Sequence, residues 1–274
     1  MKGQCGLHGS TMFKSAVCLA VDFCLIGAGS VLAQITTTNN PTIDAFVRSA
    51  DPTHNYGAAG ALAVSGSIAT NSTGINNGLL DSFLQFNVSG AVSSFNTAFG
   101  VGQWTITGIT LGVTTQPPNN TVFNYGSGRF AVNWMANNGW TEGTGTPASP
   151  TSTGITCSQE SSLLNSNVDE ALGTFNYGGA TSGRMNLSLG LTSGFLSQIS
   201  TGSLVSLYMT ATTNSSVGFT FNSENFGTAS TRPSIIITAA AVPEPTTVVL
   251  LGAACMVLGV AGRRRGKGRH AADD

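Results

Sequence analysis

Residues 109–114 read Ile109-Thr110-Leu111-Gly112-Val113-Thr114. Apolar and small polar side chains alternate, so Ile109, Leu111 and Val113 fall on one face of a β-strand and their neighbours on the other. The same period recurs along the chain. Leu84, Phe86 and Val88 alternate with Gln85 and Asn87, and Phe130, Val132 and Trp134 with Ala131 and Asn133. Leu187, Leu189 and Leu191 alternate with Ser188 and Gly190, and Val205, Leu207 and Met209 with Ser206 and Tyr208. Phe219 and Phe221 flank Thr220, and Ser234 to Ala239 is rich in β-branched residues. Clusters of Gly, Asn, Ser and Pro bound these segments, as antiparallel strands with one buried face require. The pattern predicts an all-β domain, a jelly-roll-like antiparallel β-sandwich. Helical period is scarce; Gly194 to Ile199 and Gln159 to Leu172 are the candidates. Thr144 to Thr156 reads as a surface loop or as a linker between two small domains. One domain is preferred, because the strands on either side are too few to close separately.

The two ends differ from this body. Lys14 precedes apolar residues from Ala16 to Val21 and Phe23 to Ile26, and Val31-Leu32-Ala33 follows before Gln34. This order is that of a secretory signal, with a signal helix over residues 1–33, signal peptidase as partner and cleavage between Ala33 and Gln34. Met12-Phe13-Lys14 offers a second start. At the other end stand Pro243, Glu244 and Pro245, seventeen uncharged residues from Thr246 to Gly262, then Arg263, Arg264 and Arg265. Seventeen helical residues span about 25 Å, enough for a single transmembrane helix across a thin bilayer. The arginines would stay on the cytoplasmic side. Residues 242–274 resemble the PEP-CTERM sorting tail of bacterial surface proteins. That resemblance implies processing by an exosortase, and an address at the envelope surface or in the extracellular matrix, with transient or stable anchoring.

Between those ends lies an exported region of about 209 residues, 34–242, with no lysine. Arg48, Arg129, Arg184 and Arg232 face eight carboxylates, which leaves a net charge of −4. Nucleic acid is excluded as a partner, since no basic stripe exists to neutralise phosphates. The charge also opposes acidic polysaccharides, so a neutral glycan or a calcium-bridged attachment suits the domain better. Cys157 is the one cysteine between the leader and the tail, so it has no intrachain partner there and reads as a small core residue.

Residues 34–241 carry a second resemblance. Asp44-Ala45-Phe46-Val47-Arg48-Ser49, Asn55-Tyr56-Gly57 and Leu62-Ala63-Val64 look like the opening of a DNRLRE-type domain. Ser82 to Phe86, Trp140 to Gly145, Thr153 to Thr156 and Arg232-Pro233-Ser234-Ile235 are similar to its later parts. That family resembles carbohydrate-binding modules with a β-sandwich fold. Asn55 and Gly57 are turn chemistry, and Asp44, Arg48, Asn55, Gly57, Arg232 and Pro233 read as a structural motif, with Arg48 placed to pair with Asp44 or Asp81.

Candidate chemistry is sparse. His54 is the single histidine of the exported region, and no Gly-x-Ser-x-Gly elbow accompanies it, so a hydrolytic triad with Asp44 or Asp51 is disfavoured. Glu142, Glu160, Asp169, Glu170 and Glu224 stand in no glycosidase motif. One His and one Cys do not make a zinc site; oxygen-rich loops leave calcium as the sole cofactor to consider, with no ligands assigned. For a glycan, the groups that matter are exposed aromatic faces: Tyr56, Trp104, Tyr125, Trp140 and Tyr177. The expectation is a non-enzymatic surface or matrix protein that binds or organises extracellular polysaccharide. The alternatives are a structural matrix protein without a specific ligand, and a secreted hydrolase.

Overall fold

The computed structural model describes residues 32–71, 73–76, 78–116, 126–179 and 182–243. The signal helix, the apolar span 246–262, Glu244, Pro245, Arg263 to Arg265 and Tyr125 lie outside the described residues. Among the described residues no helix is long and apolar enough to cross a membrane.

Eleven strands are described: β1 (Gln34–Asn39), β2 (Pro41–Arg48), β3 (Ala61–Ser65), β4 (Leu80–Asn87), β5 (Trp104–Thr115), β6 (Gly128–Met135), β7 (Glu170–Tyr177), β8 (Gly183–Ser188), β9 (Leu204–Ala211), β10 (Gly218–Asn222) and β11 (Ser234–Ala241). Three α-helices accompany them: α1 (Ser89–Phe99), α2 (Cys157–Leu163) and α3 (Ser193–Ser200). All pairing is antiparallel. One ladder runs β1-β11-β5-β8 and another β2-β4-β9-β6-β7. The β3–β10 pair links them through the bridges Ser65–Leu80 and Phe221–Thr115.

This sheet cannot be flat. Tyr177 on β7 and Phe219 on β10 are separated by five strand steps along the ladder, about 24 Å in a flat sheet. Their rings stack 4.5 Å apart. The two ladders therefore face each other across one core, with Ile109, Leu111 and Ile237 on one side and Leu84, Val132 and Leu207 on the other. The pairing also interleaves distant sequence: β9 lies between β4 and β6, and β11 between β1 and β5.

The β2-β4-β9-β6 ladder is buried on both faces. Ala45, Val47, Phe83 and Met135 point away from the main core into a second cluster with Trp140 and Ile155. The segment 137–169 supplies that outer coat, which is why Gln85 is buried instead of solvated. Thr144 to Thr156 is thus not a free surface loop: Thr151 bridges to Asn55, and Ile155 is buried.

Helix α3 covers the anticipated Gly194 to Ile199. Glu170 receives its N-terminus, accepting 2.9 Å bonds from the Gly194 and Phe195 amides and others from the Thr192 and Ser193 hydroxyls. Burial opposes the charge on Glu170, but those hydrogen bonds outweigh it and hold the carboxyl below its ordinary value. Helix α2 takes only the start of the region 159–172, whose end becomes β7. Helix α1 was not anticipated, because Ser, Gly, Asn and Thr dominate it and have weak helix propensity. Burial of Ala91 and Phe95, one turn apart, holds it. Leu191 lies beyond the end of β8 and is exposed.

The close approach of α3 is checkable. A Cβ on Gly194 would stand 2.5 Å from the Trp134 ring. We expect Gly194→Ala to destabilise the domain by about 1–3 kcal/mol, read as a lower urea midpoint.

Candidate functional site

The turn after β2 organises the loops at one end of the domain. Asn55 is fully buried, and its amide uses both donors and its acceptor oxygen. Its Nδ2 donates to the Glu142 carbonyl at 2.6 Å and to the Ile155 carbonyl at 2.8 Å. Its Oδ1 accepts from the Gly57 amide at 3.0 Å and from the Gly145 amide at 3.2 Å. One side chain thus pins residues 142–155 to the turn. Only glycine fits at Gly143, where φ is +85° and a Cβ would meet the Thr153 carbonyl and the Asn55 amide at 2.1 and 2.2 Å.

Carboxylates surround this junction. Asp44 on β2 is fully buried, and its Oδ2 accepts from the Glu224 amide at 2.6 Å. Glu142 Oε1 accepts from Asn225 Nδ2 at 2.9 Å and approaches the Asp44 amide at 3.5 Å. Burial pushes Asp44 well above the usual carboxylate range; the Glu224 amide opposes this, the Glu142 and Glu224 charges add to it, and Arg232 moderates it. Glu142 is raised by burial and by Glu224. Arg48 stands at the end of β2, and its charge bears on Asp51 and Tyr56 in the following turn. There the Tyr56 hydroxyl donates to Asp51 Oδ2 at 2.6 Å and His54 Nδ1 bonds Asp51 Oδ1, which together hold Asp51 below its ordinary value. Burial and that same bond push Tyr56 up to about 12. Arg232 donates from Nε to the Phe226 carbonyl at 2.9 Å, and the Pro233 carbonyl accepts from Asn40.

An apolar groove of about 420 Å³ opens beside the junction, lined by Phe46, Ala59, Gly60, Gln116, Thr220 and Phe226 among others. Phe226 is half-buried. The Thr220 hydroxyl is buried with no hydrogen-bond partner. The wall carrying Phe226 is tied down by Ser223 Oγ to the Ala59 carbonyl at 2.6 Å and by Asn225 Nδ2 to the Gly57 carbonyl at 3.2 Å.

The aromatics expected to meet a glycan sit elsewhere. Tyr56 stacks on Phe46 at 4.7 Å and is buried. Tyr177 is buried in the Phe130–Phe219–Phe221 ring cluster. Trp140 is buried in the outer coat, with Nε1 donating to Ser206 Oγ at 3.0 Å. None of these three presents a ring face to solvent. Their Asn-Tyr-Gly and Trp-Thr contexts describe the backbone, not the direction of the ring. Trp104 is half-buried on Phe95 and donates to Asn96 at 2.8 Å. Phe226, Gln116 and Thr220 were missed; the turn residues of Ser223-Glu224-Asn225-Phe226-Gly227 were the available signal.

On the outer face of β4, Asp81 and Glu160 are neighbours whose carboxyls bear on each other, and Asp81 Oδ1 is buried with no hydrogen-bond partner. Burial, then the Asp81 charge and bond, push Glu160 up to about 8. Cys157 opens α2, half-buried and packed against the outer apolar cluster. Burial and the Glu160 and Asp81 charges push its thiol up despite the helix start.

The predicted cleavage point is at the edge of the fold. Ala33 is exposed, and Gln34 opens β1 opposite Ala240 of β11. The leader side and the tail side therefore adjoin on neighbouring strands. Among the described sorting residues, Pro243 stands two positions past the end of β11.

Residues 35–146 match carbohydrate-binding module family 96. Residues 241–265 match the PEP-CTERM protein-sorting motif. These two matches support both resemblances: a carbohydrate-binding module ahead of a PEP-CTERM sorting tail. No curated protein matches the chain. The module match covers β1 to β6 and ends just past Gly145, so β9 and β11, central to the two ladders, lie beyond it.

Two outcomes follow from this geometry. Asn55→Ala orphans two carbonyls and two amides at once and should cost on the order of 3 kcal/mol, read by thermal or urea unfolding. Glu160 binds its proton more tightly folded than unfolded, so its contribution to stability falls as pH rises from about 4.5 to about 8. In Glu160→Gln the decline of the urea midpoint across that window should be shallower than in the parent.

Proposed function

We propose that this protein is exported through its leader and processed by an exosortase at its tail. At the cell surface or in the matrix, its jelly-roll sandwich binds extracellular polysaccharide without chemistry. The observation that carries the reading is the groove. It combines an apolar floor, the half-buried Phe226 ring and the polar Gln116, which is the make-up of a sugar subsite. A sugar's C–H face would lie on the ring while its hydroxyls reach the Gln116 side chain. The carbohydrate-binding module match over residues 35–146 supports the same class of ligand. Four arginines, no lysine and eight carboxylates in the exported region favour a neutral polymer over a uronate. The tail match supports export and envelope association, and the apolar span 246–262 would serve as the membrane anchor before or after processing.

Affinity electrophoresis through neutral and uronate polysaccharides tests this. Retention is expected on a neutral polymer, and Phe226→Ala should weaken it about tenfold, the equivalent of about 1.4 kcal/mol of lost ring contact. Undiminished retention in Phe226→Ala would remove the groove from the binding site. Absence of retention on every polymer would remove glycan binding altogether.

A further inference from the structure

We propose that Asp44, Glu142 and Glu224, with the Gly57 carbonyl beside them, form a site for a hard divalent cation of calcium's class. The key observation is Asp44. It is fully buried, and while Oδ2 accepts from the Glu224 amide, Oδ1 is buried with no hydrogen-bond partner. A buried carboxylate oxygen without a donor is costly unless a cation meets it. Two further carboxylates crowd the same group. Glu142 Oε1 approaches the Asp44 amide at 3.5 Å, and Glu224, just past the end of β10, donates its own amide to Asp44. The charge opposing Asp44 is Arg232, whose Nε is committed to the Phe226 carbonyl. The exported region has no lysine to help.

The donor set is oxygen alone, which selects calcium or magnesium over zinc. Among the described residues no three acidic, His or Cys side chains already converge as a metal chelate. Closure must therefore come from the half-exposed Glu224, carried by the loop that also bears Asn225 and Phe226. That loop is a wall of the groove. A cation joining Glu224 to Asp44 and Glu142 would brace the wall and set the position of Phe226. This last step rests on the glycan reading; the cation site does not.

The test titrates the full chain with calcium chloride, then magnesium chloride, by calorimetry and thermal unfolding after EDTA treatment. One calcium per chain is expected, at about 10⁻⁴–10⁻³ M, the range of extracellular modules, with a rise in melting temperature. Asp44→Asn and Glu142→Gln should abolish binding, and Asp44→Asn should melt no lower than the calcium-free parent, since it removes the crowded charge. Glu160→Gln, in the separate acidic pair, should bind as the parent does. Absence of calcium binding in the parent, or its loss in Glu160→Gln with retention in Asp44→Asn, would overturn the site. Polysaccharide retention is then compared in calcium and in EDTA. Equal retention in both, with calcium binding intact, would overturn the bracing of the groove while leaving the cation site and glycan binding in place.

Discussion

The Asn55 side chain is the constraint on which this end of the molecule depends. A buried amide must satisfy all of its hydrogen-bonding groups, and Asn55 does so with three separate pieces of chain. It reaches the carbonyls of Glu142 and Ile155 and the amides of Gly57 and Gly145. The outer coat over β2 and β4 is held by that amide as much as by its own small apolar cluster of Trp140, Ile155 and Phe83. Glycine at 143 and 154 is the backbone counterpart, since two positive-φ residues must pass each other at contact distance.

From this junction the groove and the carboxylates follow as one unit. Fixing residues 142–145 brings Glu142 against β2, and the Asp44 carboxyl on β2 in turn holds the amide of Glu224. The same loop presents Phe226 to the groove. Carboxyl groups are therefore buried beside the groove, in a region without lysine. The second acidic pair, Asp81 with Glu160, lies on the opposite face of the β2–β4 pair and anchors α2 rather than the groove.

Part of the fold was legible in the chain. Alternation at Ile109 to Thr114, Phe130 to Trp134 and Val205 to Met209 corresponds to β5, β6 and β9, because a half-buried strand imposes a period of two on its own residues. Where the rule failed, a long-range layer had changed the environment. Gln85 alternates as a solvated residue would, yet donates to the Asn138 carbonyl at 2.9 Å beneath the coat. Helix α1 is specified by two buried side chains rather than by propensity. The aromatics misled for a related reason: turn residues set φ and ψ, while the direction of Tyr56 or Tyr177 depends on Phe46 and Phe219, distant in sequence.

By itself, then, the sequence determined the strand-forming character of the body, its acidic, lysine-free charge, and the sorting motif near its C-terminal end. Each is a property of local pattern or of composition, so no folding is needed to read it. Only the tertiary structure decided that Asp44, Glu142 and Glu224 share one neighbourhood, and that Phe226 rather than Tyr56 meets the groove. Those residues are brought together by strand pairing and by one buried amide across about a hundred residues or more, a distance over which no local rule has reach.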